Sequence, residues 1–429
     1  MIANAIGAAM LLAAPVQVVT LEQALENARA HQPQLRQARA VTDAAEARAR
    51  EAKASLLPQL SASAAYQRTT ANFTARPGSV PGTPGTSRSS TFDNFNYFND
   101  SLTLSQLLYD FGQSTGRYDA AQAQAQAQAD SERAARLLTE LSVRSAFFDT
   151  RANKSLVQVA REALTNQEAH LAQIEGFVQV GTRPDIDLAQ ARSDTANAQV
   201  QLISAENTYD ISRATLNQAM GIEGPLDYEV ADQALLPVYG EGQPTGPLLD
   251  EAIKARPEIA SLMQQVRAQQ LTVRSIEGAY GPTLAASAGA TQGGISVDHL
   301  SWNLSAGLTL TWQLYQGGFT QAQVHEAEAN VAQIAAQLDL VRQQLRVEVE
   351  QARLSVRAAL ATLGAAKDAL VNARERLRLA EARYETGIGS IIELGDAQVA
   401  LTTAAVQAVQ ADQRLSTARA QLLKALGRS

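Results

Sequence analysis

Glu393 and Asp396 stand three residues apart, so a helix running through them carries both carboxylates on one face. Such a pair either faces bulk water or, repeated around a narrow opening, attracts cations and repels anions. Residues 112–116 read GQSTG, the pattern that presents a serine nucleophile on a turn between strand and helix. The four histidines, His31, His170, His299 and His325, are scattered and share no metal-ligand spacing. Cysteine is absent, which removes disulfides, thiolate metal sites, a cysteine nucleophile and a lipid-bearing cysteine. No metal and no cofactor is expected.

The serine pattern does not stand up as catalysis. No histidine is arranged to serve Ser114, and the internally repeated counterpart of the motif, residues 318–322, has no serine. The net charge is −7 with no cluster of Lys and Arg, so a nucleic-acid partner is not expected. Residues 1–19 are small and apolar, broken by Asn4, Pro15 and Gln17; they resemble the apolar part of a secretory signal without its basic start. No run of 18 apolar residues marks a transmembrane helix.

Both tryptophans of the 429-residue chain fall in one alternating stretch. Trp302, Leu304, Ala306, Leu308, Leu310, Trp312 and Leu314 are apolar, and the residues between them are polar or glycine. Ten residues of strand rise ~33 Å, and a tilt near 40° leaves roughly 25 Å, the height of a lipid-facing band with aromatics at both interfaces. A half-buried strand of a soluble sandwich would alternate in the same way. Two hairpins joined to four long helical segments do not make a sandwich, however, and a bilayer tolerates no open sheet edge. Four strands are too few to close alone, so the chain must pool strands with copies of itself, two or three.

The elements that hold these residues are written twice. Pairing residue n with n+206 aligns Leu102/Leu308, Tyr109/Tyr315, Gly112/Gly318, Gly181/Gly387, Leu188/Leu394 and Gly221/Gly427. Upstream the offset is 224, aligning Pro33/Pro257 and Pro58/Pro282. The 18 residues of difference are an insertion around the Pro/Gly/Ser segment 76–90, which can only be a loop. Each half reads as a short helix (capped by Thr20 with Gln23 in the first), a second helix from Pro33 or Pro257, two strands, and a long helix. The long helices run from 114 to about 178 and from 320 to about 384, on the order of 100 Å each. Val349, Ala352, Val356, Ala359, Leu363, Ala366, Leu370, Ala373, Leu377, Ala380 and Tyr384 form a seam of alternating three- and four-residue steps, the coiled-coil period. Shorter helices return after Gly181 and Gly387, and a Pro/Gly-rich connection joins the halves.

In this order and spacing the chain resembles the TolC-type outer-membrane efflux channel family (outer membrane factors) from Leu21 to Gly427. The carriers are the duplicated halves, the strand openings LLPQL (56–60) and GPTL (281–284), the turn LYQGG (314–318), and two tip motifs. Those are VGTRPDIDLAQAR (180–192) and TGIGSIIELGDAQ (386–398). The resemblance implies a homotrimer whose tip is engaged by a periplasmic adaptor (membrane fusion) protein serving an inner-membrane RND or ABC transporter. It puts Glu393 and Asp396 at a periplasmic constriction, Asp187 and Tyr384 in a gate latch, and Gly181 and Gly387 at the adaptor-docking turns. The alternation itself leads to the expectation that Trp302 and Trp312 face lipid at the two membrane interfaces. Two departures stand out: the second motif has Gly389 where the family often has an arginine, and the first has Ile186 where a threonine bonds it. Part of the latch is thus missing, and a less tightly held resting state is expected.

The expected fold is a mixed α and β membrane protein: a trimeric twelve-stranded transmembrane β-barrel continuous with a twelve-helix α-barrel, each chain a tandem structural duplication. Its parts are a signal-peptide-like segment (1–19), helices of the first repeat (20–57), the first barrel hairpin (58–110), and long and return helices (111–221). An equatorial connection (222–247) leads to helices of the second repeat (248–281), the second hairpin (282–316), and the last long and return helices (317–429). The expected function is the outer-membrane exit duct of a tripartite efflux or type I secretion system in a Gram-negative bacterium, not an enzyme. The alternatives are a periplasmic or surface coiled-coil scaffold without a channel, and a soluble hydrolase built on GQSTG.

Overall fold

In a computed structural model of the chain, residues 17–70, 72 and 91–428 are described; the start of the signal-like segment and the Pro/Gly/Ser loop lie outside them. The first repeat comprises β1 (Gln17–Val19), α1 (Leu21–His31), α2 (Pro33–Ala54), β2 (Gln59–Thr69), β3 (Phe95–Tyr109), α3 (Gln113–Gln179) and α4 (Asp185–Met220). The second runs through β4 (Tyr228–Val230), α5 (Thr245–Ala255), α6 (Pro257–Glu277), β5 (Thr283–Gly294), β6 (Ser301–Thr311), α7 (Phe319–Glu385) and α8 (Ile391–Ala425). The two halves share one order of elements. They do not form one compact unit each: among the described residues, those up to 40, 130–259 and from 340 onward cluster together, and those of 41–129 with 260–339 form a second unit.

Local chemistry sets the element ends. Thr20 accepts from the Gln23 amide while the Gln23 side chain bonds back to Thr20, a complete capping box at α1. Strand passes into helix at Phe111 (φ 52°) and Gly112 (φ 86°), and in the second repeat at Gly317 (φ 60°) and Gly318 (φ 83°). That left-handed backbone suits glycine. The serine of GQSTG follows the first of these turns, at the start of α3: Ser114 is buried, and its amide donates to Asp110 Oδ2 at 2.7 Å. A Cβ on Gly116 would lie 2.9 Å from Ser275 Cβ, so the glycines of the motif serve the turn and the packing of α6.

The first unit is built around Val19, Ala24, Ala28, Val143, Phe147, Phe148, Leu216, Met220 and Val230, all buried. β1 and β4 pair in parallel inside it. Gln17–Val19 therefore belong to the folded unit, although the sequence reading grouped them with the apolar opening segment. The duplication also shows in side chains. Gln32 donates to the carbonyls of Gln218 and Ala219 at the end of α4, and Arg256, its counterpart, donates to Lys424 O at the end of α8. All eleven seam positions of α7 from Val349 to Tyr384 are buried or half-buried.

The second unit holds one antiparallel sheet in the order β2-β3-β5-β6. Its register sorts every side chain onto one of two faces. Leu60, Leu104, Ala288 and Ala306 form one row, and Ala62, Leu102, Ala290 and Leu304 the next. The other face carries rows such as Ser61, Thr103, Gly289, Ser305 and Ser63, Ser101, Thr291, Asn303. Among the described paired residues that face has no charge at all. On the apolar face Leu304, Leu308 and Leu310 are about two-thirds exposed, and Trp302 is 75% exposed. The outer edges of β2 and β6 have no strand beside them among the described residues.

Candidate functional site

Two turns bring the tip residues together within the first unit. α3 ends at Gly181 (φ 74°), where the Thr182 amide and hydroxyl both donate to Phe177 O; Pro184 then opens α4. α7 ends at Gly387 (φ 79°), where the amides of Ile388 and Gly389 both donate to Arg383 O. Ser390 caps α8 by accepting from the Glu393 amide at 3.1 Å. A Cβ on Gly181 or Gly387 would meet nothing within 4 Å, so the left-handed backbone alone demands glycine there. The turns stand open to solvent, with Val180, Ile186, Ile388 and Ile392 each more than 70% exposed beside them.

Beneath the turns, Tyr384 is 1% exposed and packs with Ile174, Ala191, Leu377, Leu394 and Ala397. Its hydroxyl has no hydrogen-bond partner among the described residues. Burial raises the phenol above its ordinary pKa; Arg183 opposes that rise and the nearby Asp187 carboxylate adds to it. Asp187 is itself buried in the first turn of α4. Arg183 links the two repeats at this level: its guanidinium lies 4.4 Å over the Tyr384 ring and donates to Tyr384 O at 3.3 Å. Lower down, His170 Nε2 is 3.7 Å from Glu381, and Gln167 donates to Gln398, again linking first-repeat to second-repeat helices.

Glu393 and Asp396 lie on the first turns of α8. Glu393 is half-buried and pairs with Arg383 Nε at 3.2 Å; Asp396 is exposed and makes no ion pair among the described residues. The structure thus brings Asp187 and Tyr384 together, holds Glu393 one turn from them along the chain, and shows two arginines that sequence reasoning missed. A signal for Arg183 was present: at the offset of 206 it is the counterpart of Gly389, so the tip arginine stands in the first repeat and not the second. Arg383 was visible only as a basic residue in the last turn of α7. Trp302 and Trp312 belong to the other unit: Trp302 lies on the face of the sheet that carries the leucines, and Trp312 follows β6 directly, its Nε1 donating to Tyr280 O at 3.0 Å. No group of three His, Asp or Glu among the described residues is close enough for a metal ion, and no described helix is long and apolar enough to cross a membrane.

Residues 24–222 and 248–428 match the sequence model of a family described as Outer membrane efflux protein. Over 415 residues the chain is 26% identical to the outer membrane protein TolC of Escherichia coli (strain K12), covering 90% of this chain and 78% of that protein. It is 24% identical over 328 residues to the solvent efflux pump outer membrane protein SrpC of Pseudomonas putida, covering 74% and 68%. Among solved structures, the outer membrane protein VceC of Vibrio cholerae superposes with a TM-score of 0.80 at 20% identity, covering 95% of this chain and 96% of that one.

Proposed function

Because the chain belongs to the outer membrane efflux protein family and is an outer-membrane channel protein with a large periplasmic helical portion, we propose that it is the passive exit duct of a tripartite efflux or type I secretion system. The observation that carries this reading is the sheet: one face is apolar and exposed through its central rows, with Trp302 beside Gln292 and Asp100 in the row at one end and Trp312 just past β6 at the other, and the second face is free of charge among the described paired residues. Lipid on the first face and water on the second account for both. A scaffold in water would leave the row of exposed leucines without a reason. The open edges of β2 and β6 call for a neighbouring strand, since unpaired backbone groups in hydrocarbon each cost several kcal/mol. Three copies close a twelve-stranded barrel.

In the same reading, a periplasmic adaptor docks at the turns of Gly181 and Gly387, and an inner-membrane RND or ABC transporter supplies the cargo. Asp187 and Tyr384 belong to the latch, with Arg183 taking the part of the arginine that Gly389 lacks. Glu393 and Asp396 line the constriction. The unpartnered Tyr384 hydroxyl supports a latch that exchanges partners when the tip opens.

The mass of the protein in detergent tests the assembly. Extracted from outer membranes, it is expected to run as three copies in light scattering and to resist heating in mild detergent. A monodisperse monomer obtained without detergent overturns the duct; a dimer overturns the twelve-stranded barrel.

A further inference from the structure

Resting on the reading of Glu393 and Asp396 as the constriction, we infer that Arg383 sets the charge which that constriction presents, by neutralising Glu393 within each chain. Both partners are held by backbone. The Arg383 carbonyl accepts the Ile388 and Gly389 amides, at 3.1 and 2.8 Å, so the turn folds back onto the residue that carries the guanidinium. On the other side, Ser390 fixes the Glu393 amide. Gly389 makes this close approach possible, because a Cβ there would lie 3.2 Å from Arg383 Cβ and 3.0 Å from Tyr384 N. The two side chains are 55% and 42% exposed, so the pair adds little to stability. What it changes is the field met by an ion passing close to it.

The comparison between repeats points the same way. At the offset of 206, Glu393 corresponds to Asp187, and Arg383 corresponds to Phe177. In the first repeat the carboxylate is buried near Tyr384; in the second it is half-buried and has gained an arginine. Of the two carboxylates read as the constriction, Asp396, whose counterpart is Gln190, is the one without an ion pair among the described residues. The constriction would then carry one net negative charge per chain and select cations weakly. The neighbouring Arg183 lies over Tyr384 and is committed to that ring.

Block of single channels in planar bilayers by La³⁺ added on the periplasmic side tests this. Arg383→Gln should double the net charge per chain and tighten the block about tenfold, with a higher cation-to-anion permeability ratio. Glu393→Gln should weaken the block as far as Asp396→Asn does, since each leaves the group of Arg383, Glu393 and Asp396 without net charge. The double variant Arg383→Gln/Glu393→Gln should return to the wild-type value. Arg383→Met repeats the test if the glutamine variant fails to insert. If Arg383→Gln leaves block and selectivity at wild-type values while Asp396→Asn weakens them, the inference is wrong and the constriction reading stands. If Glu393→Gln and Asp396→Asn both leave the block unchanged, the constriction lies elsewhere and the inference falls with it.

Discussion

Leu308→Arg is expected to keep the protein from assembling in the outer membrane. Leu308 lies in the middle of β6, in one row with Ala286 and Gln106, and is 69% exposed on the apolar face. Trp302 and Trp312 bracket it on the same side of the strand. If that face meets lipid, an arginine there costs about 2–4 kcal/mol at mid-membrane, and the cost recurs in every copy. The neighbouring residue supplies the control. Thr309 points to the polar face, opposite Ala285, and Thr309→Arg should insert because its charge reaches water. Heat-resistant trimer in the outer-membrane fraction, compared for the two variants, checks this. Equal assembly of both would mean that the apolar face does not meet lipid.

The second large effect concerns Gly221, and it depends only on the fold. Gly221 closes α4 with φ 71°, and a Cβ on it would lie 2.7 Å from Gln32 Cα and 2.8 Å from Gln32 N. Those are backbone atoms, which have no rotamer to yield. Gly221→Ala therefore combines left-handed strain of about 1–2 kcal/mol with overpacking of about 1–3 kcal/mol, roughly 2–5 kcal/mol together. Gly181→Ala is the matched comparison, since its φ is 74° but its Cβ would meet nothing within 4 Å. It should lose only the strain of about 1–2 kcal/mol. Denaturant midpoints of the purified variants separate the two contributions. If both substitutions destabilise equally, the docking of the α4 end against the joint of α1 and α2 does not bear on stability.

The features legible in the sequence are those with local causes. Thr20 and Gln23 announced the capping box because both bonds of that motif close within four residues. Gly181 and Gly387 marked turns because only glycine takes positive φ freely, and the seam from Val349 to Tyr384 marked the buried face because its period is fixed by the helix. The alternation from Trp302 to Trp312 gave the strand and its two faces. β1 and β4 escaped notice for the opposite reason. Three residues are too few to show a period, and their partners lie more than 200 positions apart.

The same limit applies at the tip. A seam says that Tyr384 is buried; it does not say that Arg183, from the other repeat, covers the ring. Periodicity puts Glu393 and Asp396 on one face and is silent about an arginine ten residues earlier across a turn. Charge inside the helices is equally unreadable: Glu140, 1% exposed, looks like any acidic residue of α3 until Arg29 at 2.8 Å and Arg144 at 3.6 Å are seen beside it.

Current across a planar bilayer is the most direct measurement of whether this chain makes an open passage. Purified protein added to one side should give discrete, long-lived conductance steps. They should be modestly cation-selective at neutral pH, as the proposed constriction of Glu393, Asp396 and Arg383 requires. Protein shown to be inserted, by quenching of Trp302 and Trp312 with brominated lipid, and yet silent under applied voltage even with the tip variants Tyr384→Phe and Arg183→Ala, would contradict the duct and leave a membrane-anchored scaffold.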